Sequence, residues 1–348
     1  MPLSTKFALR ERPLGIESVH ELGAFRFESG EVLSNLRIAC VSYGELSQRR
    51  DNVLLILPGT SHTRHSALGY IGPGLAFDTD HFHVVCVDSI GEGGSSQPAD
   101  GLRGAFPKYG IRDLVRAQVE LINLGLGLGG MPLAAVAGAS MGAFQALEWA
   151  IHYPEAVRAA VLVVPSAQAG GVMRTVTRQM IEIIKLDPEW RGGDYLAKPL
   201  EGLSAAGRHY YPWTLTDEYL EICDPVVLAE EVEGAGRRFS QFDPWNLIRR
   251  YQASSQHDVA LPFGASRTLA LARVRARILV LPCRQDRLLG LESAKLIAQL
   301  VKHAAYAEID SYKGHLAWRP VAGSQESQFV TQQIRSFLLP KSFAASAQ

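Results

Sequence analysis

The chain has 348 residues, and 47% of them are hydrophobic, which is enough for one large domain or a domain that carries an insertion. Lys and Arg together number 35, as do Asp and Glu, so we do not expect phosphate-driven binding of nucleic acids. We expect neither a signal peptide nor a membrane association, because no apolar run approaches the roughly 18 residues of a membrane span. Four scattered cysteines without metal-type spacing favour reduced thiols and a cytoplasmic location.

Short apolar runs alternate with amphipathic segments in the first half of the chain, as is typical of βαβ units and a largely parallel sheet. A hairpin is predicted at residues 25–32, with its turn at residues 28–31. Apolar side chains at helical spacing predict a helix at residues 111–124. The apolar runs predict strands at residues 36–42, 53–57, 83–88, 133–137 and 160–164.

The pattern changes at residues 166–271, which are rich in Arg, Glu, Trp and Tyr and lack strand-like apolar runs. We predict helices and loops there, and a return to strands at residues 277–281 and 306–309 before a last helix at residues 325–338. An inserted helical block between two sheet-forming parts predicts a cap over the end of the sheet. The predicted division is a core at residues 1–165 and 272–340, a helical cap at residues 166–271, and a disordered tail at residues 341–348.

The most informative motif is Gly138-Ala139-Ser140-Met141-Gly142, a G-x-S-x-G sequence between an apolar run and a helix-like segment. A serine on a sharp, strained strand-to-helix turn needs small neighbours, because larger side chains would clash there. The N-terminus of the following helix directs backbone dipoles toward the serine, where they can stabilise a developing oxyanion. The motif in this context predicts an α/β-hydrolase fold with Ser140 as the nucleophile.

A serine nucleophile needs a base, and the base needs an acid to orient it. In the α/β-hydrolase fold the chain order is serine, acid, histidine. Asp286 and His315 fit that order, and each lies in a loop that follows a predicted strand. Asp310 and Asp258 are alternative acids in less suitable positions.

The oxyanion hole is expected to combine the backbone N–H of Met141 with an N–H from the loop after residues 53–57. Glycine in that loop lets a backbone amide approach the substrate closely. The second donor is therefore Gly59 or Thr60, and the sequence does not decide between them.

We predict no cofactor and no metal. The pairs His62/His65 and His81/His83 have no third ligand at a recognisable spacing. The glycine-rich run at residues 125–130 precedes a predicted strand instead of following one, which is the wrong context for a nucleotide-binding loop.

Several segments resemble the homoserine O-acetyltransferase family of the α/β-hydrolase superfamily, over roughly residues 33–338. Residues 138–153, GASMGAFQALEWAIHY, are similar to that family's nucleophile segment. Further similar segments are residues 88–91 and 95–96, 106–107, 111–113, 187–190 with 193 and 195, 242–243 and 257–259. The resemblance implies a mostly parallel central sheet, an acyl-enzyme intermediate, and a homodimer that forms through the cap.

The chain departs from that family at two positions that hold homoserine. Family members place an aspartate for the substrate's amino group directly after the catalytic histidine, where this chain has Leu316. They hold the substrate carboxylate with a cap arginine, whose position corresponds to Gly207, beside Arg208, in an ungapped alignment. Each lost charge-assisted contact is worth about 1.5–3 kcal/mol, so homoserine is not expected to be the acceptor.

The family also resembles a group of short-chain ester hydrolases that keep the scaffold and the triad. The sequence therefore predicts a carboxylic-ester hydrolase for short-chain esters, acetyl esters in particular, with a small-molecule ester as substrate. Leu316 and Trp318 are expected to line the pocket and to favour an apolar alcohol portion. The alternative is an O-acetyltransferase that moves an acyl group from acyl-CoA to an alcohol. A catalytically idle binding protein is disfavoured by the complete set of Ser140, Asp286 and His315.

Overall fold

The computed structural model describes residues 14–339, so the tail predicted at residues 341–348 lies outside the described residues. The strands β1 to β10 are Ile16–Glu21, Phe25–Arg26, Val32–Leu33, Arg37–Tyr43, Val53–Leu57, His83–Val87, Ala135–Ala139, Ala159–Val163, Arg277–Leu281 and Ala304–Tyr306. The helices α1 to α10 are Ile111–Glu120, Met141–His152, Gly171–Leu186, Leu200–Tyr210, Asp217–Ile222, Pro225–Phe239, Pro244–Ser255, Arg267–Leu271, Glu292–Leu300 and Gln325–Leu338.

Eight of the described strands form one sheet, in the order β1-β4-β6-β5-β7-β8-β9-β10. The pairs β1–β4 and β4–β6 are antiparallel. The remaining neighbours in this order, from β6 through β5 to β10, pair in parallel. The remaining two, β2 and β3, form a separate antiparallel hairpin. This mostly parallel sheet with helical crossovers confirms the predicted fold class.

Both faces of the central strands are buried. In β5, Leu55 and Leu57 face one apolar core together with Phe144 of α2, while Leu54 and Ile56 face a second core together with Ile334 of α10. Parallel strands covered by helices on both faces are expected to be continuously apolar instead of alternating. This is why the apolar runs located the central strands so closely.

Strands β5 and β9, the helix α10 and the hairpin lie where they were predicted. Strand β7 begins two residues later than predicted, because Leu133 forms only an isolated bridge, to Val157. At its other end β7 continues through Gly138, which is paired with Leu57 of β5 and Leu162 of β8. The strand therefore extends to the residue before Ser140.

One strand prediction was wrong in part, and one strand was missed. Strand β10 is Ala304–Tyr306, earlier than the predicted residues 306–309, although Ile309 still forms a bridge to Cys283. Strand β1 was missed, because its sequence IESVHE is largely exposed and polar. It is an edge strand that pairs with β4 alone, so burial imposes little apolar pattern on it.

The helix predicted at residues 111–124 changes its hydrogen bonding near its end. Helix α1 ends at Glu120, and Leu121–Gly125 form a single π-helical turn. In that turn the Leu126 N–H donates to the Leu121 carbonyl, five residues back, at 2.8 Å. The glycine-rich run that begins at Gly125 thus connects this helical end to β7.

Between β8 and β9 the chain forms the helices α3 to α8, which we call the helical segment. Asp-Pro pairs begin α6 and α7, and the carboxylates of Asp224 and Asp243 accept backbone N–H groups in the first turn of each helix. Helix α7 reaches the loop after β5, where Arg250 donates to the Gly59 carbonyl at 2.6 Å. The helical segment is therefore attached to the end of the sheet that carries Ser140.

Candidate active site

Ser140 occupies the turn between β7 and α2 in a strained backbone conformation. Its φ is +57° and its ψ is −123°, values that residues with a Cβ rarely adopt. The Ser140 N–H donates to the Val163 carbonyl of β8 at 3.0 Å, which fixes the turn to the sheet. The side chain is consequently presented above the strand ends.

Two glycines make this turn possible because other backbone atoms occupy the space that a side chain would need. A Cβ on Gly142 would lie 2.2 Å from the Leu57 carbonyl oxygen, at the end of β5. A Cβ on Gly138 would lie 2.3 Å from the Gly142 carbonyl carbon. The spacing of the G-x-S-x-G motif thus reflects the close packing of β7, α2 and β5.

A chain of hydrogen bonds joins Ser140, His315 and Asp286. The Ser140 Oγ lies 2.9 Å from His315 Nε2, and His315 Nδ1 lies 2.7 Å from Asp286 Oδ2. An ionised carboxylate only accepts hydrogen bonds, which assigns the proton to Nδ1 and leaves Nε2 to accept the hydroxyl of Ser140. His315 and Asp286 are both buried, so water does not compete for the contact between them, whereas Ser140 is only partly buried.

The loop after β9 fixes the carboxylate of Asp286. Its second oxygen, Oδ1, accepts the backbone N–H groups of Leu288 at 2.9 Å and Leu289 at 3.0 Å. These bonds leave Oδ2 directed at His315. Asp286 is thereby held by the backbone of its own loop before any substrate is bound.

The two alternative acids lie elsewhere. The Asp310 side chain is mostly exposed and lies 3.6 Å from Arg284. Asp258 accepts the backbone N–H of Ala260 at 2.9 Å. Of the three candidate acids, the structure brings Asp286 to His315.

The loop after β5 places Gly59 and Thr60 beside the serine turn. The Gly59 carbonyl accepts the His62 N–H at 3.3 Å and the Arg250 guanidinium at 2.6 Å, while the Thr60 hydroxyl donates to Ser254 Oγ at 3.2 Å. On the other side, Met141 is the first residue of α2, where helical geometry leaves the backbone N–H without an intrahelical acceptor. The first turn of α2 and the loop after β5 therefore flank Ser140.

A cavity of about 370 Å³ opens onto Ser140 and His315. Leu316 and Trp318 line it, as do residues from the loop after β5 and from the helical segment. Gly207 of α4 also lines the cavity, whereas Arg208 bonds to Ser204 and Glu233 instead. A Cβ on Gly207 would lie 2.6 Å from the Ala235 carbonyl, so an arginine at this position would force α4 and α6 apart.

Sequence reasoning missed two arginines in this cavity, Arg238 of α6 and Arg319. Burial and the nearby charge of Arg238 lower the pKa of Arg319. Arg319 follows His315 by four residues, about one helical turn. From that spacing, its place near the histidine could have been predicted. Arg238 is distant from every motif, so no signal in the sequence pointed to it. The expectation of an apolar pocket was therefore incomplete.

Three further titratable groups of the cavity, those of His62, Tyr211 and Tyr251, are neutral at neutral pH. Burial, with the charges of Arg319 and Arg250, lowers the pKa of His62 to about 3, and its ring packs edge-on to Trp318 at 5.2 Å. Burial raises the pKa of Tyr251 to about 12, and that of Tyr211 likewise to about 12. No Asp or Glu is among the described residues that line the cavity.

Two general features of the described chain bear on its class. Within residues 14–339, no three or more His, Cys, Asp or Glu side chains are grouped as they would be around a metal ion. None of the helices in that same range combines the length and the apolar composition needed to cross a membrane.

Comparison with known proteins identifies the fold family. The family model for the α/β hydrolase fold matches residues 52–317, so the chain belongs to the α/β-hydrolase family. Within it, the chain is 35% identical over 328 residues to the homoserine O-acetyltransferase of Leifsonia xyli subsp. xyli. The aligned region covers 82% of this chain and 80% of that protein. It is thus a member of the homoserine O-acetyltransferase-like branch, which confirms the resemblance seen in the sequence.

Two solved structures are similar over almost the whole chain. The acetyl esterase MekB superposes with a TM-score of 0.87 and 25% identity, covering 93% of this chain and 96% of that one. The homoserine O-acetyltransferase from Bacillus anthracis superposes with a TM-score of 0.83 and 27% identity, covering 94% of this chain and 98% of that one. The chain is an enzyme of this fold, and its relatives include both esterases and acyltransferases.

The packing of the serine turn generates a stability prediction. Gly142→Ala should lower the free energy of unfolding by about 1–3 kcal/mol or more, because its Cβ overlaps the Leu57 carbonyl. Gly171→Ala is the control: it lies at the first position of α3, where an added Cβ would have no neighbour within 4 Å, and should leave stability unchanged or raise it. Chemical denaturation of both variants checks this, and equal stabilities would contradict the packing argument.

Proposed function

We propose that Ser140, His315 and Asp286 form the catalytic triad of a carboxylic-ester hydrolase that acts on short-chain esters. The observation that supports this most directly is the unbroken hydrogen-bond chain from the Ser140 hydroxyl to the buried Asp286 carboxylate. The chain places a base next to a poor nucleophile and an anion behind that base, which is the arrangement that activates a serine.

The first half-reaction forms an acyl-enzyme. Ser140 Oγ attacks the ester carbonyl carbon while its proton passes to His315 Nε2, and the carbonyl electrons move to oxygen. Asp286 stabilises the imidazolium and keeps its orientation. When the tetrahedral intermediate collapses, the bond to the alcohol oxygen breaks and the alcohol leaves with the proton from His315.

The second half-reaction repeats these steps with water. His315 Nε2 takes a proton from water as the oxygen attacks the acyl carbonyl, and a second tetrahedral intermediate forms. Its collapse breaks the bond to Ser140 Oγ, which recovers its proton from His315. The carboxylic acid is released and the resting enzyme is restored.

The oxyanion of both intermediates is assigned to the backbone N–H groups of Met141 and Thr60. Thr60 lines the cavity that holds Ser140, whereas Gly59 lines a smaller cavity of about 30 Å³ on the other side of the loop. The carbonyl of Gly59 is also engaged by Arg250. These contacts support Thr60 over Gly59 as the second donor.

Hydrolysis is favoured over transfer to homoserine because the cavity has no partner for an ammonium group. Leu316 stands beside His315, and the described lining contains no carboxylate. Gly207 offers no guanidinium to a substrate carboxylate, and its packing against α6 leaves no room for one. The similarity to the acetyl esterase MekB supports an acetyl substrate. Acyl transfer from acyl-CoA to another alcohol shares the first half-reaction and is the alternative.

We further propose that the helical segment acts as a cap and that it pairs two copies of the chain. Large apolar side chains exposed on one region mark protein interfaces. Those on the helical segment are Val172, Leu186, Leu196, Leu200, Ile222, Val226, Val227, Leu261 and Leu269. A cytoplasmic location is supported by the four free cysteines, three of which are buried.

The acid of the triad can be tested by exchange of its carboxylate. Asp286→Asn should lower kcat for p-nitrophenyl acetate by about 10⁴, because the amide favours the wrong tautomer of His315. Asp310→Asn, the control at the exposed alternative, should retain wild-type kcat, and Ser140→Ala should lose turnover while its circular dichroism is unchanged. If Asp310→Asn lost its kcat while Asp286→Asn kept the wild-type kcat, the assignment of the acid would be reversed.

The fate of the acyl group separates hydrolase from transferase. When Ser140 is acetylated with p-nitrophenyl acetate in the presence of homoserine, free acetate should be the main product and O-acetylhomoserine a trace. Leu316→Asp should raise the share of O-acetylhomoserine relative to Leu316→Asn, its uncharged match, because only the aspartate can pair with the amino group. Predominant O-acetylhomoserine from the wild type, or homoserine-dependent thiol release from acetyl-CoA, would show that transfer is the activity.

Assembly is tested by light scattering. The wild type should scatter as a dimer of the 38.0 kDa chain, and Val226→Lys with Val227→Glu on α6 should shift it to a monomer. Leu124→Lys removes an equally exposed apolar side chain outside the helical segment and should leave the dimer intact. A monomeric wild type, or a dimer that survives the double substitution, refutes pairing through this surface.

A further inference from the structure

Two guanidinium groups line the cavity beside Ser140 and His315 without a carboxylate partner. Arg238 projects from α6 and Arg319 follows the short helical turn that contains His315. Among the described residues, neither arginine forms an ion pair with Asp or Glu, although their neighbours do: Arg237 pairs with Glu230, and Arg208 with Glu233. The cavity therefore holds a local excess of positive charge in a chain of zero net charge.

Such an arrangement is unfavourable in the absence of a ligand. Arg319 is partly buried and lies close enough to Arg238 for repulsion between the two charges to be felt. Arg238 is exposed, with its guanidinium 5.9 Å from the centre of the Tyr211 ring, so the loss of hydration falls on Arg319. A bound anion would offset both that loss and the repulsion between the two charges. In the cavity wall, the phenols of Tyr211 and Tyr251 and the ring of His62 carry no charge at neutral pH. The nearby carboxylate of Glu231 accepts the Tyr211 hydroxyl at 3.2 Å and, among the described residues, forms no ion pair with either arginine.

The position of Arg319 indicates which part of an ester would meet this charge. His315 must stand next to the leaving alcohol, because it gives that oxygen its proton. Arg319 lies about one turn further along the same backbone, and its N–H donates to the Leu316 carbonyl at 3.1 Å. The Trp318 carbonyl between them accepts the Tyr70 hydroxyl at 2.8 Å, which fixes this stretch to the core.

We propose that the cavity selects esters whose alcohol portion carries a carboxylate, with Arg238 and Arg319 as its binding partners. The substrates would be O-acyl, chiefly O-acetyl, hydroxycarboxylates. Because the described lining contains no Asp or Glu to hold an ammonium group, hydroxy acids fit the cavity and hydroxy amino acids do not. The inference rests on the proposed hydrolase function and specifies its substrate class.

The test compares acetyl esters of equal length that differ in charge. The set is 4-acetoxybutanoate, 4-acetoxybutanamide and 4-acetoxybutylammonium, with acetate release measured for each. A charge-assisted contact predicts a kcat/KM for the carboxylate about tenfold or more above that for the amide, with the ammonium ester slowest. Monobutyl succinate, which carries its carboxylate on the acyl side, should be a poorer substrate than 4-acetoxybutanoate.

Substitutions then assign the preference to the two arginines. In Arg319→Gln, and in Arg238→Gln, the ratio of kcat/KM for carboxylate over amide should fall toward one, with Arg319→Lys intermediate. Arg237→Gln, which removes an exposed arginine on the same helix, should keep the wild-type ratio. Because both esters are measured on the same preparation, a change in the folded fraction cancels in the ratio.

The possible outcomes test the inference and the proposed hydrolase function separately. Equal wild-type rates for carboxylate and amide, or a preference that survives the double substitution of Arg238 and Arg319, overturn the inference while the hydrolase proposal stands. A better rate with monobutyl succinate overturns the placement on the alcohol side. No hydrolysis of any of these esters or of p-nitrophenyl acetate overturns the proposed function itself.

Discussion

The close contact between the serine turn and the end of β5 is the constraint on which the rest of the site depends. With the Gly142 Cα packed against the Leu57 carbonyl, only glycine fits there, and β7 can turn directly into α2. That turn lifts Ser140 above the strand ends, at the edge where the loops after β9 and β10 deliver Asp286 and His315. The same contact brings the loop after β5 beside the serine. Ser140, His315, Asp286 and the loop after β5 thus meet at one edge of the sheet because parallel strands end there together.

The chemistry at Ser140 and the recognition of the substrate are carried by different parts of the chain. The hydrogen-bond chain to Asp286 lies in the sheet-forming core, and esterase and transferase relatives share that fold. The cavity walls come largely from the helical segment and from the stretch after His315. Under the proposed function, substitutions in those walls would change which alcohol is accepted and would leave the acylation step in place.

Much of the fold, and the proximity of Ser140, His315 and Asp286, could be predicted from the sequence, because both rest on local patterns. Buried parallel strands are apolar throughout, and a strained serine turn requires glycine on either side. What the sequence did not reveal depends on contacts between distant segments. Arg238 reaches the cavity only because α6 packs against α4, and the edge strand β1 has no buried face to mark it. Likewise, the aligned position of Gly207 did not show that Ala235 excludes any side chain there.

The hydrogen bonds of Arg250 restrict how far helix α7 can move from the loop after β5. The Arg250 side chain is fully buried, and it donates to the Gly59 and His62 carbonyls at 2.6 and 3.2 Å. If α7 lifted away like a lid, these charge-assisted bonds would break, at about 1.5–3 kcal/mol each, and the loop that carries Thr60 would lose its support. Any movement of α7 would therefore disturb the loop that carries Gly59 and Thr60. Helix α7 is thus held to the sheet-forming core by a buried charge, and of the two Asp-Pro helices it is the one with a buried arginine bonded to the loop after β5.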